Sequence, residues 1–167
     1  DVDVLIQEMG RKYFEYLKSE AIQCEQNSCW QSHISRLESF SENYAGTMLG
    51  DQARQLKTEL SDKRDLSDLR KIVEEAGTDY QKAYQACKDY LSEHADSTQQ
   101  HVVKDELARL QQYLSIQRKW KAVYSYAVNP ANGIQERIRK VTAYVTAEKS
   151  SPYSSEALQL KDQLENE

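Results

Sequence analysis

Helix breakers are scarce in this chain: five glycines and two prolines are spread over 167 residues. Long stretches therefore carry nothing that would end a helix. Long apolar runs are missing too, and without about 18 consecutive apolar residues the sequence offers no membrane-spanning helix. Cysteine is limited to Cys24, Cys29 and Cys87, an odd number that argues against a dedicated disulfide framework. No second Cys or His pair stands at zinc-ligand spacing. A phosphate-cradling glycine loop, a nucleophile elbow, an HExxH helix and a calcium loop are all absent. "KDEL" at 104–107 is internal and cannot serve as a C-terminal retention signal. The sequence thus names no cofactor, no small-molecule substrate and no catalytic group, and the chain is expected not to be an enzyme.

What is present favours helices. Charged residues make up 29% and hydrophobic residues 39%, with eleven Tyr, two Trp and two Phe to supply buriable surface. Gln, Glu, Lys, Arg, Leu and Ala lose little rotamer freedom in a helix, so one all-α domain over 1–167 is expected. The chain opens "DVDVLIQEMG" with no initiator Met and no signal peptide. It is expected to be a fragment or processed form of a larger protein, which leaves a cytoplasmic and a periplasmic or extracytoplasmic setting both open. Cys24 and Cys29 are close enough for a disulfide across a loop in an oxidising compartment; buried or idle thiols are the alternative.

Three segments align with one another: "WQSHISRLESFSENYAGT" from Trp30, "YQKAYQACKDYLSEHADS" from Tyr80 and "IQERIRKVTAYVTAEKSS" from Ile134. Apolar residues recur at Trp30/Tyr80/Ile134, Ile34/Tyr84/Ile138, Leu37/Cys87/Val141 and Phe40/Tyr90/Tyr144, one face of a helix. The match continues through Ala53/Val103/Ala157 and Leu60/Leu110/Leu164. Each unit reads as a short helix, a loop and a long helix beginning near Thr47, Ser97 or Ser151, residues suited to N-caps, with Pro152 suited to a first helical position. The boundaries are 1–29 as the last helix of a truncated unit, 30–79, 80–133 and a partial unit 134–167, giving six or seven helices. Gly77 and "VNPANG" mark the joints. Continuity of the long helix across "SDKRDLSD" (61–68) is expected from the second unit, which has no breaker there. Leu5, Met9, Phe14 and Leu17 are expected to form the apolar face of the first helix.

"DYQKAYQACKDYLSEHAD" resembles the tetratricopeptide pattern, in which an aromatic residue, an Ala three positions on and a later Leu precede a loop: Tyr80, Ala83 and Leu91. "YLSEHADSTQQHVVKDELARL" and "YVTAEKSSPYSSEALQL" are similar to bacterial variants of such repeats, with a period here of 50–54 residues. The resemblance implies stacked antiparallel helical hairpins, a solenoid or right-handed superhelix, used as a scaffold for protein–protein interaction. A spectrin-like or coiled-coil spacer is the structural alternative, and a ligand-sensing region of a signalling protein is a third.

Charge is uneven. Residues 115–149 hold seven Lys/Arg against Glu136 and Glu148, a local +5 in a chain of net −5. In a hairpin turning near Pro130, "QRKWK" and "ERIRK" would face each other at similar depth. Arg118, Lys119, Lys121, Arg137, Arg139 and Lys140 would then form a basic surface for an anionic partner; an ordinary solvated helix surface is the alternative. Nucleic acid is disfavoured by the acidic net charge. Head-to-tail self-association of basic and acidic ends is a further option. His94 and His101 flank a loop with Asp96 and Asp105 near, and are expected to be solvated loop residues.

Overall fold

The computed structural model describes residues 2–27 and 29–167, with side chains described for 4–24 and 29–167. The protein is all-α. Seven helices follow one another among the described residues: α1 (Val2–Asn27), α2 (Trp30–Asn43), α3 (Met48–Ala76), α4 (Tyr80–Glu93), α5 (Gln100–Ala127), α6 (Ile134–Ala147) and α7 (Ser154–Glu165). The short helices α2, α4 and α6 have 14 residues each and open at Trp30, Tyr80 and Ile134. The long helix α3 runs 29 residues without a break at 61–68, about 44 Å at 1.5 Å per residue. Gly77 ends it with φ +54°, a left-handed conformation that costs glycine no Cβ clash.

The chain divides into two compact units. Unit 1 comprises Asp1–Glu75 with Ala86–Lys104, and unit 2 comprises Ala76–Gln85 with Asp105–Glu167. In unit 1 the core gathers Phe14, Leu17 and Ala21 of α1, Ile34, Leu37 and Phe40 of α2, and Ala53 and Leu60 of α3. In unit 2 it gathers Trp120 and Ala127 of α5, Val141 and Tyr144 of α6, and Ala157, Leu160 and Leu164 of α7. Leu37 and Val141 are fully enclosed, and burying such a side chain contributes about 1.5–3 kcal/mol.

The loops are held by side chains, and of the three expected caps the one at Thr47 forms. The Thr47 hydroxyl donates to the Tyr44 carbonyl at 2.7 Å and accepts from the Gly50 N–H at 3.2 Å, immediately before α3. Ser97 and Ser151 stand three residues ahead of α5 and α7 and organise a turn instead. Each accepts the backbone N–H two residues on, that of Gln99 or Tyr153, at 3.1 Å. Each also bonds a phenol from the preceding short helix, Tyr90–Ser97 at 3.2 Å and Tyr144–Ser151 at 2.7 Å. Pro152 therefore lies in this turn, ahead of the first helical residue. Asp62 of α3 accepts from both the N–H and the hydroxyl of Thr98, at 2.8 and 2.9 Å. In the aligned loop of unit 2 the corresponding residues are Gln112 and Pro152, and proline has no N–H to satisfy.

At the position of Ala83 in α4, the helices α2 and α6 carry His33 and Arg137. Both are buried and reach back to the preceding long helix. His33 Nε2 lies 2.8 Å from the Leu17 carbonyl oxygen, and Arg137 Nε donates to the Ala127 carbonyl. The sulfur atoms of Cys24 and Cys29 are joined, with their Cα atoms 5.0 Å apart. Cys87 stays outside that bond and is buried in α4.

Candidate interaction surface

The first helix departs from its expected face. Phe14 and Leu17 are buried as expected, but the strip continues through Gly10, Ala21 and Cys24, while Leu5 and Met9 are exposed. At 100° per residue Leu5 stands about 180° from Phe14 around the helix, so the two cannot share a face. Gly10 is buried because Tyr44 lies across it: a Cβ at position 10 would come 2.5 Å from the Tyr44 oxygen. Tyr44 in turn stacks on Phe40 with ring centroids 4.4 Å apart.

This close approach leaves a groove of about 470 Å³ between α1 and α2, lined by Tyr13, Arg36, Phe40, Asn43 and Tyr44. Arg36 organises one wall. Its guanidinium sits 5.5 Å from the Tyr16 ring centroid and pairs with Glu20. Hydrogen bonds to the phenols of Tyr13 and Tyr16, and then to Glu20, hold its pKa above the usual arginine value. Glu20 is held below the usual carboxylate range, first by the Tyr16 phenol and then by Arg36. Tyr16 is held by its bond to Glu20 and Tyr13 by its contacts with Tyr16 and Phe40, while about half of each residue stays in solvent.

Beside this groove, α1 carries a second apolar stripe. Ile6, Met9, Tyr13 and Tyr16 are 50%, 63%, 45% and 47% exposed, at intervals of three, four and three residues. That spacing is the seam of a helix that packs on another helix. It is visible in "IQEMGRKYFEY", where the stripe through Phe14, Leu17 and Ala21 overlaps it and conceals it. Among the described residues no other helix presents such a stripe; Ile22, Met48, Ile72 and Leu158 are isolated, and Tyr124 and Val128 make a single pair.

The basic residues are not brought together. The antiparallel course of α5 and α6 sets Lys119 against Glu148 at 2.6 Å, Tyr126 against Lys140 and Ala127 against Arg137. "QRKWK" and "ERIRK" are thereby offset by about nine residues, roughly 13 Å along the axis. Arg137 is buried and pairs with Glu167 at 3.1 Å, so it belongs to the fold rather than to a surface. Arg139 pairs with Glu136 at 2.7 Å, and the two raise and lower each other's pKa. Lys140 lies 3.9 Å from the Tyr126 ring centroid. Arg118 and Lys121 are exposed on α5.

The histidines are dispersed. His94 stacks on Tyr90 at 4.5 Å and lies 3.5 Å from Asp65. His101 is exposed, with Nδ1 3.2 Å from the Thr98 carbonyl oxygen. Among the described residues no group of three or more His, Cys, Asp or Glu side chains gathers to hold a metal ion, and no helix is long and apolar enough to cross a membrane. A second groove of about 410 Å³ in unit 2 lies between α5 and the α6–α7 turn, with Arg109, Gln112, Tyr113 and Ser151 on its walls. No protein-family model, characterised protein or solved structure matches the chain.

Proposed function

We propose that this chain is a non-enzymatic interaction module, built of helical hairpins related to the tetratricopeptide type, that binds a protein through the uncovered face of α1. The observation that supports this is the half-exposed stripe of Ile6, Met9, Tyr13 and Tyr16. Apolar surface left contiguous in water marks a contact site far more often than scattered apolar residues do. Tyr16, which donates to Glu20 and carries Arg36 over its ring, and Tyr13, which stacks on Tyr16, lose little conformational freedom on binding, which favours their use in an interface. The basic residues carry less weight, because Lys119, Arg137 and Arg139 have acidic partners within the chain.

The test is affinity capture from the native source with the wild-type chain and with Met9→Glu, compared by quantitative mass spectrometry. Proteins captured by the wild type should be depleted in the variant. Recovery of an identical set with both would overturn this reading. The unbroken length of α3 favours a second one, a spacer that sets distance. In that case Met9→Glu would leave function intact, while a proline placed within α3 would abolish it.

A further inference from the structure

We propose that the occupant of the α1 stripe is a second copy of this chain, its α1 running antiparallel about a two-fold axis at Arg11. This rests on the interaction reading above and names its partner.

The stripe is a seam by geometry. At 100° per residue, positions 6, 9, 13 and 16 fall within an arc of about 80°, the narrow face that a single opposing helix covers. One flank of the seam is closed by Leu17 and Gly10, which are buried against unit 1, and the other carries Leu5 and Lys12.

The order of residues selects the orientation. The aliphatic members, Ile6 and Met9, lie toward the N-terminus and the aromatic members, Tyr13 and Tyr16, toward the C-terminus. An axis at Arg11 sets Ile6 opposite Tyr16 and Met9 opposite Tyr13, so every contact joins an aliphatic side chain to a ring. The Met9–Tyr13 contacts are thioether on aromatic, a favourable pairing. A parallel arrangement would instead place Tyr on Tyr and Met on Met.

The charges agree with this placement. Glu8 pairs with Lys12 at 3.3 Å within the helix, so on the flank beside Leu5 the two-fold brings an ion pair rather than a bare lysine to the rim. It also puts Glu8 of each copy within about one turn of Lys12 in the other. Because the described residues carry one such stripe, self-association through it uses the same patch on both molecules and closes at two. The head-to-tail chain that charge asymmetry alone would allow does not form.

Sedimentation equilibrium of the full chain, from micromolar to sub-millimolar concentration, should fit a monomer–dimer equilibrium with no larger species. Ile6→Glu and Met9→Glu should each weaken it at least about tenfold. Circular dichroism should be unchanged, since both side chains are largely exposed. Orientation is read with benzoylphenylalanine in place of Tyr13 and a mixture of light and heavy-isotope chains. The expected photoproduct joins the 13–18 tryptic peptide of one copy to the 1–11 peptide of the other.

A link from one 13–18 peptide to another would overturn the antiparallel axis. A dimer indifferent to both glutamate substitutions would place the interface elsewhere. A monomer at every concentration that still captures a different protein through Met9 would sink self-pairing and leave the interaction reading standing. A monomer that captures nothing would sink both.

Discussion

The phenolic oxygen of Tyr144 lies 2.7 Å from the hydroxyl of Ser151, seven residues further along the chain, and both residues are buried. The serine also accepts the Tyr153 N–H, so one hydroxyl ties the end of α6 to the turn before α7. Tyr144→Phe removes one bond and should cost about 1 kcal/mol, whereas Ser151→Ala strands a buried phenol and a backbone N–H and should cost about 1–3 kcal/mol. Combining them should cost less than the sum, because the Tyr144 oxygen no longer needs a partner. Urea unfolding of the four proteins measures this cycle, and strict additivity would show that the two groups do not depend on each other.

Burial raises the pKa of Tyr90 and Tyr144 above the ordinary phenol value of 10.0, an effect their serine partners only partly offset. Once pH passes 10.0 the unfolded chain loses these protons first, so the native state binds more protons and stability falls with rising pH. Stability from this source is complete below pH 10.0 and is lost progressively above it, through the raised native values. The double variant Tyr90→Phe/Tyr144→Phe should flatten that alkaline slope in thermal melts. An unchanged slope would assign alkaline unfolding to other groups.

An exposed helical Gly→Ala change ordinarily stabilises by about 1 kcal/mol. At Gly10 the added Cβ meets the Tyr44 ring at 2.5–2.6 Å, and that ring is held by its stack on Phe40. Gly10→Ala should therefore destabilise the wild type yet stabilise a Tyr44→Ala protein. Denaturation midpoints in both backgrounds test for this reversal of sign. Stabilisation in both would mean that Tyr44 does not rest on α1.

With Cys24 joined to Cys29 and Cys87 buried, a thiol reagent should find nothing in the native protein, one thiol after denaturation and three after reduction. Closing so short a loop restricts the unfolded chain by about 2 kcal/mol. Reduction should lower the unfolding midpoint accordingly. Three reactive thiols in the unreduced, denatured chain would rule the bond out.

The sequence makes the helices themselves legible. Apolar residues such as Leu37, Cys87 and Val141 mark a buried face by spacing alone, and Gly77 marks a helix end by its tolerance of positive φ. Two things were obscured. On α1 two apolar stripes overlap, and periodicity cannot say which of them the rest of the chain covers; only the placement of Tyr44 over Gly10 decides it. The place of the basic residues is hidden for a related reason. Spacing in sequence suggested that "QRKWK" and "ERIRK" meet, but the register between α5 and α6 is set by contacts such as Tyr126–Lys140 and Ala127–Arg137. Arg137 then turns inward to a carbonyl oxygen, a role that composition does not distinguish from a surface cation.

The two capping arrangements have a consequence for rebuilding this chain. Asp62 answers the N–H and hydroxyl of Thr98, while in unit 2 Gln112 stands where Pro152 has removed the N–H. Transplanting the 147–152 turn into the place of 93–98 would strand the Asp62 carboxylate against a proline. The reverse graft would set the Thr98 N–H and hydroxyl opposite Gln112, whose neutral amide oxygen is a weaker acceptor than the Asp62 carboxylate. The smallest part that can be swapped is therefore a turn together with one residue from the middle of the helix before it, although some 36 residues of chain separate the two.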